Sequence, residues 1–431
     1  MRSVPSACCM EGEATLQKHN GALWNALGST IYGINSFVML AAVSRGGTVE
    51  QAGHFGIAFT TAQILYIIGL FAIPHYQMTD YGEKFGFSTY AKGCVFSCAL
   101  MLLGCCGVIF ALGFSAIKQI YTLALTLLML LNVIGELYQS LFFQKNRLDL
   151  SGSALFYRTL FPLLLFCSVI FFTRNILAAI VVQTAANLFI TLYYALHVAP
   201  PFIKKPSAAK NGSGSVAILI RECFPLFVSV LLMNLLLNMS KYGIEFLLGD
   251  AEQGYFGMIF MPTQVINLCS QFLFKPYLNH YSLLLCQKNK KAFFRLLRKQ
   301  LLVIAGFTIV CGIAAFLLGA QVLGFIFAKD LSSLVLPLTL LVFGGGVFAA
   351  CQLFYFILVI LRKQKSILGI YAAVMALSAG LTIRMISRSG ILGAVFAFVA
   401  THGAILLGYL FMLRRSLRGM EISVGEDCVE E

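Results

Sequence analysis

Polar residues, with one glycine among them, recur at helical spacing inside stretches that are otherwise apolar. The first stretch carries them close to i, i+4, i+7, i+8 and i+11, on one helix face: Asn25, Ser29, Tyr32, Gly33 and Ser36. Two later stretches repeat the pattern with Asn234, Asn238 and Lys241, and with Gln264, Asn267 and Gln271. Such amides and hydroxyls can bond neighbouring helices or line a hydrophilic cavity. Because three separate stretches carry a stripe, the pattern favours a shared cavity.

Basic side chains at similar depth would supply a second chemistry, the binding of phosphate. Those inside or at the ends of apolar stretches are Arg158, Arg221, Lys241 and Arg384, with Arg45 and Lys275 at stretch ends. Arg offers a bidentate fork and Lys a point charge, so together they would suit a phosphate or pyrophosphate group. Each could instead extend its charged end to the lipid headgroups. Both interpretations stay open at this point.

One acid, Glu136 in the run GELYQS, lies well inside an apolar stretch. Its carboxylate could neutralise a buried Arg or carry a proton for ion coupling. Glu222 and Glu245 lie beside Arg221 and Lys241, where local charge pairing is expected. We find no P-loop, no zinc-type HExxH run, no dinucleotide fingerprint and no metal-ligand spacing of cysteines. We therefore predict no catalytic residue, no metal and no cofactor.

The elements that position these residues must be membrane-spanning helices. Of 431 residues, 59% are apolar and 11% charged, which excludes a soluble globular protein. A spanning helix needs about 20 apolar residues. The apolar runs predict twelve spans, near residues 23–43, 55–73, 91–112, 117–142, 154–172, 175–198, 217–238, 255–274, 301–318, 334–361, 367–386 and 391–413. The fold class is therefore all-α integral membrane, with no room for a soluble catalytic domain.

A polar segment divides the spans into two halves. From Pro200 to Ser215 the chain reads PPFIKKPSAAKNGSGS, the composition of a flexible linker. We expect an N-terminal six-helix half at 1–199, a cytoplasmic linker at 200–215, a C-terminal six-helix half at 216–413 and a cytoplasmic tail at 414–431. The N-terminus shows no cleavable signal peptide, so the first span should remain in the mature protein.

The distribution of Lys and Arg predicts that both termini are cytoplasmic. In that orientation all but seven of the 31 basic residues lie on the cytoplasmic side, the exceptions being Arg45, Lys118, Arg174, Lys241, Lys329, Arg384 and Arg388. The net charge of +14 is thus mainly a topology signal, and no nucleic-acid partner is expected. The run from Tyr281 to Gln300 is typical of a basic amphipathic helix on the cytoplasmic interface.

An internal repeat relates the two halves. GHFGIAFTTAQ from Gly53 and GYFGMIFMPTQ from Gly254 match at Gly53/Gly254, Phe55/Phe256, Gly56/Gly257, Phe59/Phe260 and Gln63/Gln264. Six spans per half is an even number, so the halves enter the membrane in the same direction as a parallel repeat. A substrate path is then expected between them, with alternating access by rocking.

Three runs resemble a known family. They are WNALGSTIYGINSFVMLAAVSR followed by GHFGIAF and HYQMTDYGEKFGFSTY, then ELYQSLFFQKNRLDLSGSALFYR, then RECFPLFVSVLLMNLLLNMSKYGIEFLLGDAEQGYFGMIFMPTQVINL. The chain resembles bacterial polysaccharide biosynthesis proteins of the O-antigen and capsule flippase type. These belong to the multidrug, oligosaccharidyl-lipid and polysaccharide exporter superfamily. The resemblance covers nearly the whole chain.

The resemblance implies two six-helix bundles around a V-shaped central cavity lined by spans one, two, seven and eight. It implies a substrate consisting of a glycan on a polyprenyl pyrophosphate. The expected cavity residues are Asn25, Gln63, Arg158, Arg221, Asn234, Asn238, Lys241, Gln264, Asn267 and Lys275, with Glu136 as a candidate for ion coupling. The chain departs from the family in span one, whose stripe is neutral until Arg45.

These observations predict a flippase, which is not an enzyme, that moves a lipid-linked oligosaccharide to the outer leaflet of a bacterial inner membrane for surface polysaccharide assembly. Expected partners are the substrate, the bilayer, and the glycan polymerase and glycosyltransferases of the same pathway. The alternative is a cation-coupled multidrug exporter, which would need acidic cavity residues such as Glu136. A glycan polymerase or acyltransferase would need a catalytic His402, which we expect instead to be a hydrogen-bonded packing residue.

Overall fold

A computed structural model describes residues 7–80, 82–203, 213–274, 277–287, 289–361 and 363–422. In these ranges every regular element is a helix. The first seven are α1 (Ala7–Gly46), α2 (Val49–Leu70), α3 (Ile73–Thr79), α4 (Phe87–Ala111), α5 (Ala116–Gln144), α6 (Leu148–Thr173) and α7 (Ile176–Tyr193). The next seven are α8 (Ser213–Leu247), α9 (Asp250–Phe274), α10 (Leu278–Cys286), α11 (Lys290–Ala314), α12 (Ala320–Phe327), α13 (Val335–Ile360) and α14 (Gln364–Ile422). Of the predicted linker, residues 204–212 lie outside the described ranges.

Within the described residues, ten helical stretches are long and apolar enough to cross a membrane. One of them, Gln364–Ser416, contains two predicted spans, because Gly390 (φ 57°, ψ −133°) breaks α14 between them. A π-helical turn joins α11 to α12, so that they form one stretch, Lys290–Phe327. The eighth predicted span is α9, which is less apolar because it carries Asp250 and Glu252 in its first turn and several amides. The predicted all-α, multi-pass membrane fold is confirmed.

Side-chain caps explain where two of the helices begin. The side chain of Asn175 accepts a hydrogen bond from the amide of Ala178 (3.1 Å) at the start of α7, and Asn289 does the same for Ala292 (3.1 Å) at the start of α11. The prediction of one continuous amphipathic helix from Tyr281 to Gln300 is therefore wrong. The segment is divided into α10 and the first turns of α11, because Asn289 caps a new helix.

The chain forms two compact units. The first contains the residues up to Thr48 and His54–Phe227, and the second contains Val49–Gly53 and the residues from Val228. The change from one unit to the other falls inside α8, two residues after Pro225. The core of the second unit is aromatic and includes Phe274, Tyr281, Phe293, Phe354, Tyr371 and Tyr409, all buried.

Candidate functional site

Arg158 and Glu136 form a buried ion pair in the first unit. Arg158 Nη2 donates to Glu136 Oε1 (2.9 Å) and to Gln139 Oε1 (3.2 Å), while Nη1 donates to the carbonyl oxygen of Asn132 (3.2 Å). The side chains are 5% and 15% exposed. Arg158 lies ten residues into α6, or about 15 Å from the start of that helix. The sequence left two roles open for Glu136. The geometry supports one of them, the neutralisation of a buried Arg.

Two features that the sequence did not single out hold this pair in place. Gly135 leaves the space that the Arg158 guanidinium occupies, because a Cβ on Gly135 would overlap it. Asn187 on α7 donates to Asn132 Oδ1 (3.0 Å) and accepts from Thr191 Oγ1 (3.2 Å). The sequence shows a glycine directly before Glu136, but it does not show that Arg158 on α6 occupies the space beside that glycine.

Spans one and two carry exposed polar residues. Asn25 and Tyr32 are exposed, and Gln63 is exposed although its neighbours Ala62 and Ile64 are buried. The Tyr32 and Tyr66 hydroxyls hydrogen-bond each other, near Glu136 and Arg158. Helix α1 also packs closely on α6, where a Cβ on Gly28 would lie 2.8 Å from the carbonyl oxygen of Gly152.

Lys241 lies six residues before the end of α8, in the second unit. Its Nζ lies 4.5 Å from the centroid of the Phe260 ring, a cation–π geometry. Phe260 is itself buried and packs edge-on against Phe398 (5.3 Å). Among the residues that the structure describes, Lys241 has no carboxylate within salt-bridge distance, so Glu245, four residues further along, does not form the predicted pair with it. The ammonium group is available to an anion.

Further amides share helix faces with Lys241 and Phe260. Asn234 lies seven residues before Lys241 on α8, and Asn267 lies seven residues after Phe260 on α9, each about 10 Å along its helix axis. Asn267 is buried, and its Oδ1 has no hydrogen-bond partner within the described structure. Asn238 and Asn234 each donate back to a carbonyl four residues earlier, those of Asn234 and Val230 (2.9 Å). Gln264, on α9, is half-buried.

Arg221 lies near the other end of α8. Its side chain is exposed, and its neighbour Glu222 does not pair with it as predicted. Glu222 instead accepts from Lys84 Nζ (2.7 Å) and from the Tyr76 hydroxyl, two groups of the segment between α2 and α4. The hydrogen bond to Glu222 raises the pKa of Lys84, and burial followed by the same carboxylate raises the pKa of Tyr76. The Glu222 carboxylate is thus occupied by Lys84 and Tyr76. Arg221 has no carboxylate within salt-bridge distance among the described residues.

The predicted cations are distributed over both units. Arg221 lies in the first unit, and Lys241, 20 residues further along α8, lies in the second. Arg384 is exposed on α14, and Lys275 lies outside the described residues. His402 is buried, with Nδ1 2.8 Å from the Phe398 carbonyl oxygen and its ring against Phe398 and Phe348, as expected of a packing residue.

No protein-family profile matches the chain, and no curated protein matches it. Solved structures share its fold. An inward-facing multidrug resistance MATE family transporter of the MOP superfamily aligns with a TM-score of 0.71 and 11% identity, over 91% of this chain and 96% of that one. The lipid II flippase MurJ, in its inward closed conformation, aligns with a TM-score of 0.69 and 14% identity, over 95% and 90%.

A third similar structure is a MOP superfamily transporter from Pyrococcus furiosus, for which a reverse polarity of the binding pocket suggests a different function. It aligns with a TM-score of 0.55 and 12% identity, over 93% of this chain and 96% of that one. All three proteins are transporters, and each alignment covers most of both chains. The chain therefore has the membrane-spanning fold of the MOP superfamily transporters.

Proposed function

We propose that this chain flips a polyprenyl-pyrophosphate-linked oligosaccharide from the cytoplasmic to the outer leaflet of a bacterial inner membrane. The observation that carries the proposal is the charge balance inside the described spans. Lys241 has no carboxylate partner, whereas Glu136, the acid well inside a span, is neutralised by Arg158. An uncompensated cation at low dielectric attracts an anionic group, and a neutralised acid has little attraction for a cationic drug.

The neighbours of Lys241 suit the remainder of such a substrate. A pyrophosphate oxygen would accept from the Lys241 ammonium group, which acts as a point charge. Asn234, Asn267 and Gln264 offer both donors and acceptors, the groups that sugar hydroxyls require. In the first unit, Asn25 and Gln63 would serve the same purpose. The polyprenyl tail would remain in the bilayer.

The separation of Arg221 and Lys241 assigns them to different stages of transport. In the predicted orientation, Arg221 lies near the cytoplasmic end of α8 and would meet the pyrophosphate on entry. Lys241, 20 residues further along α8, would hold the headgroup near the outer leaflet. The glycosyltransferases that assemble the glycan would act before this step, and a glycan polymerase after it.

The main alternative is a cation-coupled multidrug exporter, because one of the structures with this fold is a multidrug resistance transporter. It would use Glu136 as the coupling acid, so drug resistance on expression that is lost in Glu136→Gln would favour it. A polymerase or acyltransferase is less well supported, because the His402 ring is enclosed by Phe348 and Phe398.

The direct test is a headgroup-accessibility assay in proteoliposomes. A polyprenyl-pyrophosphate oligosaccharide with a fluorescent tag is incorporated, and a membrane-impermeant quencher reports the leaflet that holds the tag. We expect the protein to accelerate exchange of the tag between leaflets relative to protein-free liposomes. No acceleration with several glycans, with and without ion gradients, would overturn the proposal, and accumulation of a cationic dye in the same vesicles would establish the exporter.

A further inference from the structure

The first three turns of α11 present a basic face. Lys291, Arg295, Arg298 and Lys299 are all exposed. At about 100° per residue they fall within an arc of about 100°, centred opposite the buried Phe293 and Leu297. The four cations extend over about 12 Å of helix axis. We name this group the basic face of α11.

The buried side of the same turns is firmly packed, so the basic face has a fixed direction. The Phe293 ring contacts Tyr281 of α10 edge-on at 5.5 Å, and both side chains are fully buried. Leu297 continues this packing within the aromatic core of the second unit. The cations must therefore point away from the protein.

None of the four cations has a carboxylate partner among the residues that the structure describes. Elsewhere on described surface segments, basic side chains do find acids, as Lys84 finds Glu222 and Arg147 finds Asp149 (2.7 Å in both pairs). Four unpaired cations within three turns repel one another. Such a group is expected to be neutralised by ligands outside the chain.

The continuation of α11 identifies what lies in front of the basic face. On the same side of the helix, the cations give way to apolar residues that are all more than half exposed: Leu302, Ile309, Val310 and Ile313. An exposed apolar face on a spanning helix is in contact with acyl chains. The cations directly before it then lie at the depth of the lipid headgroups, and Phe294, 47% exposed beside them, is suited to that interface.

We propose that the basic face of α11 binds anionic phospholipid headgroups, the phosphodiester of phosphatidylglycerol being the chemistry that it fits. The acyl chains of the same lipid would lie along Leu302 and Ile309. This inference concerns a lipid that the protein retains, and it does not depend on what the protein transports.

A local fluorescence reporter can test the proposal on the full chain. The protein has a single Trp, Trp24, so Trp24→Phe with Phe294→Trp places the one indole beside the basic face. This protein is reconstituted in phosphatidylcholine with brominated phosphatidylglycerol or brominated phosphatidylcholine as quencher. We expect brominated phosphatidylglycerol to quench the indole at a several-fold lower mole fraction than brominated phosphatidylcholine. Each interfacial Lys or Arg increases the affinity for an anionic lipid by roughly fivefold. Equal quenching by the two lipids would overturn the proposal.

Removing cations at two different places distinguishes binding by the basic face of α11 from a general effect of positive charge. The test variant is Lys291→Gln, Arg295→Gln, Arg298→Gln and Lys299→Gln in the reporter background. The control variant removes four other exposed cations, at Lys363, Lys365, Arg414 and Arg415. We expect the preference to be lost in the test variant and retained in the control, and equal loss in both would overturn the proposal. If the quadruple test variant does not fold, Arg295→Gln and Arg298→Gln are measured singly and should each weaken the preference.

Discussion

Gly53 and Gly254 occupy equivalent positions of the internal repeat and lie against each other in the structure. A Cβ on Gly53 would lie 3.2 Å from the amide nitrogen of Gly254, and a Cβ on Gly254 would lie 3.1 Å from that of Gly53. Each would also overlap a carbonyl oxygen of the other helix, that of Asp250 or of Val49. The repeat therefore brings the first turns of α2 and α9 together, and glycine is the residue that allows this approach.

Gly254→Ala should destabilise the protein, because the added methyl group forces the first turns of α2 and α9 apart. We expect a cost of about 1–3 kcal/mol, seen as a lower melting temperature in detergent. Gly56→Ala is the matched control, since a Cβ there meets nothing within 4 Å. Gly53→Ala with Gly254→Ala should cost less than the sum of the single changes, because one separation relieves both overlaps. Strict additivity would contradict this account.

Arg158→Met should be strongly destabilising, because it leaves the Glu136 carboxylate partly buried without its partner. Removal of one member of a buried pair costs about 3–5 kcal/mol. Adding Glu136→Gln should recover much of that loss, since the unpaired charge is then gone. Thermal unfolding of the two single variants and the double variant measures the coupling. A double variant that is no more stable than Arg158→Met would show that the pair is not coupled.

Lys241→Gln should reduce flipping of the tagged lipid-linked oligosaccharide by roughly tenfold or more, the worth of a hydrogen bond to a charged group. Lys241→Arg keeps the charge and should retain part of the rate. Arg384→Gln removes an exposed cation from another span and should leave the rate unchanged. Equal rates in wild type and Lys241→Gln would show that Lys241 does not bind the substrate. The flipping activity itself would still be tested by the comparison with protein-free liposomes.

The orientation predicted from the Lys and Arg distribution can be tested with reporter fusions. Alkaline phosphatase fused after Asp330, between α12 and α13, should be active, because that connection is expected outside the cytoplasm. Green fluorescent protein fused after Lys363, between α13 and α14, should fluoresce, because that connection is expected inside. The opposite result at both positions would invert the topology.

The sequence by itself determined the membrane-spanning class, the positions of the spans and the internal repeat. Each of these depends on local composition or on spacing along the chain. A run of about 20 apolar residues has to span the bilayer whatever its neighbours are. The stripe of Asn234, Asn238 and Lys241 was likewise readable, because residues three, four or seven apart share a helix face.

Only the tertiary structure decided which charged groups are paired. Sequence proximity suggested Glu222 with Arg221 and Glu245 with Lys241, but Glu222 meets Lys84, and Lys241 meets the Phe260 ring. Glu136 meets Arg158, 22 residues further along the chain. Hydrogen bonds and ion pairs form only within about 3–4 Å, and that distance is set by how helices pack rather than by separation along the chain. The charges left unpaired, on which the proposed function depends, could therefore be identified only once the helices were in place.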